Sequence, residues 1–296
     1  MDESNPRRQF FFSLAGLAAA GTASNLAAGQ STPLPVSGVS RVTDRYVSPR
    51  KVLLWESTRK EIRERIEQGQ LKAAIVPTGS SEQHNEHLAM IQDTASSVLV
   101  SQQAALQLFP QAIVTTPVPV GISPYWMDRK GTLTLRPETF LAMVYDICDS
   151  MRQHGIKTIF IVNGHGGNDH PLKSNVADFR SKLGIDIDAC SYWDSYHSSP
   201  EIMAEVNKIM AGGLAKVPGH AGEFETSFAL AAWPERIHRD TVDYDKANLQ
   251  LKPDVLKADR EGYFDSLLAT ADKGERLIRI AVDWTAAKVQ SMINQT

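Results

Sequence analysis

Thr158-Ile159-Phe160-Ile161-Val162-Asn163-Gly164-His165-Gly166-Gly167-Asn168 is the stretch that decides the fold. Thr158 to Val162 is a short apolar run rich in β-branched residues, which reads as a buried strand. The polar, glycine-rich turn that follows marks its end. Upstream lies a helical pattern, Pro137 to His154, with proline near its first turn and Gly155 after its last. Downstream come a helix from Pro171 to Leu183, stopped by Gly184, and a strand from Ile185 to Tyr192. Further out, the pattern predicts a charged helix over 56–69, a strand over 71–77, a helix over 94–108 and a strand over 112–120. Ile202–Met210, Glu223–Ala232 and Gly274–Met292 read as later helices. Strands alternating with helices predict an α/β fold, a three-layer α/β/α arrangement around a mostly parallel sheet. Residues 51–296 form that one domain. In such folds ligands gather at the carboxyl ends of strands, and the polar clusters of this chain follow three of its four strands.

The composition is that of an ordinary globular chain: 42% apolar and 22% charged among 296 residues, with a net charge of −3. There is no basic excess of the kind a nucleic-acid partner requires. No apolar run reaches the roughly 18–20 residues of a membrane helix, so no membrane span is expected. At the N-terminus, Asn5-Pro6-Arg7-Arg8-Gln9-Phe10-Phe11-Phe12 precedes Ala- and Gly-rich sequence. Paired arginines before a short apolar stretch predict a twin-arginine export signal over residues 1–30 and a periplasmic or otherwise exported protein. Residues 31–50, rich in Ser, Pro, Val and Arg, read as a linker. Cys148 and Cys190 are expected as two separate buried thiols rather than as a disulfide.

Three clusters carry chemistry. The first is Glu82-Gln83-His84-Asn85-Glu86-His87, followed by Asp93. Carboxylates and imidazoles in one loop are zinc or manganese ligands by type, although Asp93 also suits a helix N-cap. The second is the glycine-bounded His165. The third is Gly219-His220-Ala221-Gly222-Glu223-Phe224-Glu225-Thr226-Ser227 at a helix start, where acids also favour the positive helix end. The chain has no Gly-x-Ser-x-Gly elbow for a serine esterase and no His-Glu-x-x-His for a zincin.

Together these clusters resemble the creatininase family, whose pattern runs Glu-Gln-His, eight residues, Asp; then Asn-Gly-His-Gly-Gly-Asn; then His-Ala-Gly-Glu-x-Glu-Thr-Ser. Ser191-Tyr192-Trp193-Asp194 adds to the match, and the similarity runs from about Val52 to about Gln290. The resemblance implies two divalent metal ions, zinc or manganese. Glu82 and His165 match ligands of one, His84 matches a ligand of the other, and Asp93 matches the bridge between them. The type member has its last ligand two residues after the strand-end His, where this chain has Gly167. Relatives with the Gly-Gly version carry an acid three residues after the later His. Glu223 is therefore expected as the substitute ligand and as a catalytic residue, with Glu225 as its rival. His220 matches a substrate-facing His and is expected to shuttle a proton to the leaving atom. His87 is expected in support behind the ligands.

The implied activity is metal-dependent hydrolysis of a C–N bond in a small amide, cyclic amides included, by an activated water. A lactonase or other ester hydrolase, or an exported metal-binding protein without catalysis, are the alternatives. Creatinine itself is not expected, because Gly166, Lys216 and Val217 replace substrate-side residues of the type member. Arg129, Lys130 and Lys216 are candidate contacts for an anionic substrate, although solvated surface positions suit each as well. The resemblance also implies a homo-oligomer, up to a hexamer.

Overall fold

The computed structural model describes residues 50–238 and 266–296. The expected signal over 1–30 and all of the linker but Arg50 lie outside the described residues. Four strands form one sheet: β1 (Ala73–Thr78), β2 (Ala112–Val114), β3 (Thr158–Asn163) and β4 (Asp186–Ser191), in the order β2-β1-β3-β4. Every pairing is parallel. The register sets Thr78 beside Asn163 and Asn163 beside Ser191, so the carboxyl ends of β1, β3 and β4 finish level.

Seven α-helices accompany the sheet among the described residues: α1 (Arg59–Glu67), α2 (Gln92–Gln107), α3 (Pro137–Gln153), α4 (Gly166–Leu183), α5 (Pro200–Ile209), α6 (Glu223–Ala232) and α7 (Ala271–Gln295). Successive strand side chains point to opposite faces, and here both faces are covered. Ala73, Ile75, Phe160 and Val162 pack into a core with Val100 of α2, Phe224 and Phe228 of α6, and Leu277 and Ala281 of α7. Ala74, Val76, Ile159 and Ile161 face the other way, onto Phe140 and Val144 of α3 and Leu172 and Phe179 of α4. A sheet buried on both sides needs apolar residues at every position rather than at alternate ones, which is why β1 and β3 read as continuous runs. The architecture is three-layer α/β/α.

Two boundaries differ by more than three residues from the sequence reading. β2 stops at Val114 rather than Val120, because Pro117 and Pro119 lack ladder donors; Val118 keeps one isolated bridge to Thr78. Helix α4 starts at Gly166, five residues before Pro171, which sits inside it. A proline this close to a helix start costs one backbone bond and does not end the helix. Cys148 and Cys190 are both buried and free. Among the described residues no helix is long and apolar enough to cross a membrane.

Candidate metal centre

Beyond Thr78 the chain enters a loop that is sewn to the segment after β2. Ser80 Oγ and Ser123 Oγ are 2.7 Å apart, Leu133 N–H donates to the Ser81 carbonyl at 2.9 Å, and Gln83 N–H donates to Thr132 Oγ1 at 3.1 Å. These bonds turn Glu82 and His84 inward, where they are 2% and 0% exposed. Asp93 comes from the first turn of α2. It makes no cap; its carboxylate is buried and faces the imidazoles.

His165 follows β3 directly. Asn163 fixes it: the side-chain oxygen accepts from His165 N–H and from Thr78 Oγ1, each at 3.1 Å, and the amide donates to the His165 carbonyl at 2.7 Å and to Ser191 Oγ at 2.9 Å. Asn168 donates to the Gly79 carbonyl at 2.9 Å and accepts from Ile122 N–H at 3.0 Å. The two asparagines of the turn thus tie three strand ends and two loops together. Gly164 is required by close approach, since a Cβ there would lie 2.2 Å from the Asp93 carbonyl oxygen.

The imidazoles carry the strongest information. His84 Nδ1 is 3.1 Å from the Glu82 carbonyl, and His165 Nε2 is 3.1 Å from the Ile122 carbonyl. A carbonyl only accepts, so each of these nitrogens holds a proton. The opposite nitrogens face carboxylates. His84 Nε2 is 3.0 Å from Asp93 Oδ1 and 3.5 Å from Glu225 Oε2. His165 Nδ1 is 2.9 Å from Asp93 Oδ2 and 3.4 Å from Glu82 Oε1. Three groups have donor atoms within 4.8 Å of one another: the triads Glu82/Asp93/His165 and His84/Asp93/Glu225, which share Asp93, and a third group of Glu82, His84 and the half-buried His220.

Such a buried cluster is stable only with positive charge among its oxygens. Protons are one source. Although burial alone would lower both, the Asp93 and Glu225 charges raise His84, and hydrogen bonds to Asp93 and Glu82 raise His165, each to about 10. Burial pushes the Glu225 carboxyl up to about 8. Divalent cations are the other source, and the donor set fits them. Each neutral imidazole presents a lone pair, its far nitrogen is anchored on a carbonyl in the manner of metal-binding histidines, and Glu82 Oε2 is buried without a hydrogen-bond partner.

Glu223, the expected substitute ligand, is elsewhere. Its carboxylate pairs with Lys273 of α7 and accepts from Ala211 N–H at 3.0 Å, and it belongs to neither triad. Residues two apart at a helix start point in different directions, and here it is Glu225 that turns to His84. Ala221, with φ of +50°, aims its N–H at Glu225 Oε2 at 2.5 Å. Position 167 is closed to any ligand: a Cβ there would lie 2.1 Å from the Ile122 carbonyl oxygen, 2.6 Å from His165 Nε2 and 2.8 Å from Tyr125 Oη.

A cleft of about 310 Å³ opens over the cluster, walled by Tyr125, Trp126, Trp193 and Gly219 and reaching Glu82, Asp93, His165, His220 and Glu225. The His220 ring lies under Trp126, stacked with centroids 4.8 Å apart, and 4.5 Å from the His84 ring. Gln83 Nε2 is 2.9 Å from His220 Nε2. Burial, and then the charge of His84, push the His220 imidazole down to about 3. Gln83 stood in the first sequence cluster without a role, and Tyr125 and Trp126 were absent from the sequence-derived candidates. His87 stands behind α6, with Nε2 2.9 Å from Thr226 Oγ1. His154, His170, His197 and His238 join no triad. Arg129, Lys130 and Lys216 do not line the cleft.

Comparison with known proteins agrees with this fold. The family model described as creatininase, creatinine amidohydrolase, matches residues 55–289. Creatinine amidohydrolase of Pseudomonas putida is 26% identical over 267 residues, 81% of this chain and 97% of that protein. The 3-dehydro-scyllo-inosose hydrolase of Thermotoga maritima is 28% identical over 195 residues, 65% and 60% of the two chains. A mycofactocin precursor peptide peptidase of Mycobacterium ulcerans is 26% identical over 232 residues, 73% and 83%. A crystal structure of creatinine amidohydrolase shares the fold with a TM-score of 0.68, at 24% identity, over 82% of this chain and 98% of its own. Creatininase structures described as Zn-Zn type and as Mn each align with a TM-score of 0.66, at 23% and 22% identity, over 81% of this chain and 98% of theirs.

Proposed function

The chain belongs to the creatininase family of hydrolases, and we propose that it cleaves the C–N bond of a small amide with water at a centre of two divalent cations, zinc or manganese. The observation that carries this reading is the orientation of the two buried histidines. Both spend one nitrogen on a backbone carbonyl and turn the other to carboxylates that share Asp93. In the proposed assignment Glu82, Asp93 and His165 hold one cation, and His84, Asp93 and Glu225 the other. Glu225 takes the place first given to Glu223. Bound there, the cations would activate a water at neutral pH and polarise the scissile carbonyl.

The protein's own contribution is to bind and orient. Tyr125, Trp126 and Trp193 wall the cleft, and Glu82, Asp93 and Glu225 lie at its floor. Among the described lining residues there is no Lys or Arg, so an anionic group of a substrate would be met there by the cations rather than by a basic side chain. Gly166, Lys216 and Val217 keep creatinine from being the favoured substrate.

The deciding experiment offers the zinc- or manganese-loaded protein lactams and lactones of equal ring size, together with linear formamides. Turnover of amides supports the reading. Turnover of lactones alone transfers the centre to ester chemistry. Tightly held metal without turnover of any member leaves a binding protein. Two further proposals carry over from the sequence: export on the twin-arginine signal, tested by whether Arg7→Lys with Arg8→Lys retains the protein in the cytoplasm, and homo-oligomerisation, tested by sedimentation.

A further inference from the structure

Behind the proposed ligand His165, on the far side of Asn163, lies a charged cluster whose role follows from its hydrogen bonds; the inference rests on the metal reading above. Ser191 ends β4, is fully buried, and stands beside Asn163 in the sheet register. Its hydroxyl has a single proton, which goes to Asp169 Oδ1, since a carboxylate only accepts. Its oxygen is then left to accept from Asn163 Nδ2 at 2.9 Å. The other proton of that amide goes to the His165 carbonyl. The Asn163 side-chain oxygen takes the His165 N–H, Thr78 Oγ1 and Asn168 Nδ2, the last at 3.2 Å. Between Asp169 and the His165 backbone, every bond thus has one sense: the Asn163 amide donates to Ser191, and Ser191 donates to Asp169.

Lys173 holds the carboxylate in place. Its ammonium lies 2.8 Å from Asp169 Oδ1 and 2.8 Å from Asp194 Oδ2. Asp194 Oδ2 in turn accepts from Ser191 N–H at 3.0 Å. One lysine therefore ties together the acceptor of the Ser191 hydroxyl and the acceptor of the Ser191 N–H. Trp193, in the wall of the cleft, lies between Ser191 and Asp194 in the chain, so the same tie bounds the turn that carries it. An ordinary surface pair is also present on α4 for comparison. Asp178 and Lys182 have the same four-residue spacing and the same 2.8 Å separation, and both are exposed.

We propose that Asp169 is a positioning residue for His165: it orients the Ser191 hydroxyl, which anchors the Asn163 amide, which sets the His165 backbone. Without Asp169 the Ser191 hydroxyl is free to rotate, and the buried Asn163 amide faces a rotor instead of a fixed lone pair. His165 follows β3 directly, so a tilt of its peptide moves the ring. A metal ligand has to be held to within about 0.5 Å, which leaves little room for such a tilt. What this role asks of Asp169 is acceptance of a hydrogen bond, not charge. That separates it from the other use of an acid in the first turn of α4, which is to stabilise the positive end of the helix through its charge.

The test compares Asp169→Ala with Asp169→Asn. The Asp169 side chain is 31% exposed, so neither change opens a cavity in the core. Two readouts are used: zinc affinity, by titration against a competing chelator, and the visible spectrum of the cobalt(II)-loaded protein, whose bands report coordination geometry. Asp169→Ala should weaken one of the two zinc ions roughly tenfold, the lower end of the loss for partners behind a metal ligand, and should shift the cobalt bands. Asp169→Asn gives up the charge but keeps an oxygen that accepts from Ser191, and it should restore most of the affinity and the wild-type bands. Asp178→Ala, on the same helix, should change neither. Wild-type affinity and spectrum in Asp169→Ala, or an Asp169→Asn as impaired as Asp169→Ala, overturns the proposal. Should the wild type hold neither zinc nor cobalt, the metal reading fails, and hydrogen exchange at the His165 backbone amide of the metal-free protein decides the positioning role by itself. Faster exchange in Asp169→Ala than in the wild type and Asp169→Asn is expected there, and equal exchange in all three overturns it.

Discussion

His165 Nδ1 stands 2.9 Å from Asp93 Oδ2, and with the imidazole neutral that buried oxygen accepts no hydrogen bond. The two facts agree once the His165 proton is placed on Nε2, against the Ile122 carbonyl. A lone pair and a carboxylate oxygen at that distance repel each other unless a cation lies between or beside them. The second oxygen of Asp93 stands in the same relation to His84 Nε2, at 3.0 Å. One carboxylate therefore serves both triads, which is the geometry of a bridging ligand.

The metal-free protein should lose stability as pH rises. His84 and His165 have folded values raised to about 10 from an ordinary 6.5, and Glu225 is raised to about 8 from 4.5. In each case the folded state binds its proton more tightly than the unfolded state. The resulting stabilisation is complete below the unfolded values and is lost as pH climbs through the folded ones. Asp93 is shifted downward and acts only below its ordinary value, outside this window. The buried His220, lowered to about 3, acts the other way up to its ordinary 6.5 and offsets Glu225 there, so the Tm of the chelated protein is expected to fall between about pH 6.5 and pH 10, and the Tm of the loaded protein to fall less. Thermal melts across pH, with and without chelator, check this; a chelated Tm that rises over the window contradicts it.

Gly167→Ala should damage the centre, whereas Gly166→Ala should not destabilise the fold. A methyl at 167 meets the Ile122 carbonyl oxygen at 2.1 Å, while one at 166 meets nothing within 4 Å. The Ile122 carbonyl is the anchor of His165, so the clash moves a proposed ligand. About 1–3 kcal/mol of stability and roughly 10–100-fold in metal affinity are the expected losses at 167. At 166 the change in stability should stay within about 0.5 kcal/mol. Denaturant melts and metal titrations of the two variants compare them.

Lys273→Ala should destabilise the fold and spare the metal. It leaves the Glu223 carboxylate, 2% exposed, without its cation. Breaking such a pair from one side costs about 3–5 kcal/mol. Glu223→Gln combined with Lys273→Met removes both charges and should recover most of that loss. Metal content of both variants should equal that of the wild type. A Lys273→Ala protein of full stability would show that the pair carries little energy.

The sheet was legible because burial on both faces writes β1 and β3 as unbroken apolar runs, and each run ends in a cluster that carries proposed ligands. Glu82, His84, Asp93 and His165 were legible for the same reason, each tied to a strand end or a motif spacing. Glu223 and Glu225 were not separable in sequence. Two acids one residue apart at a helix start differ only in direction, and that direction is set by Ala221 N–H on one side and Lys273, fifty residues away, on the other. Nor did sequence show Gln83 holding His220. The contact spans 137 residues, and only the fold shows which end of the amide meets the ring.

Metal content per protomer, measured by elemental mass spectrometry on wild type, Glu225→Ala and Glu223→Ala, tests the central claim most directly. Two divalent ions in the wild type, about one in Glu225→Ala and two in folded Glu223→Ala are the predicted result. No tightly held metal in the wild type, or loss of an ion from Glu223→Ala with none from Glu225→Ala, would contradict it.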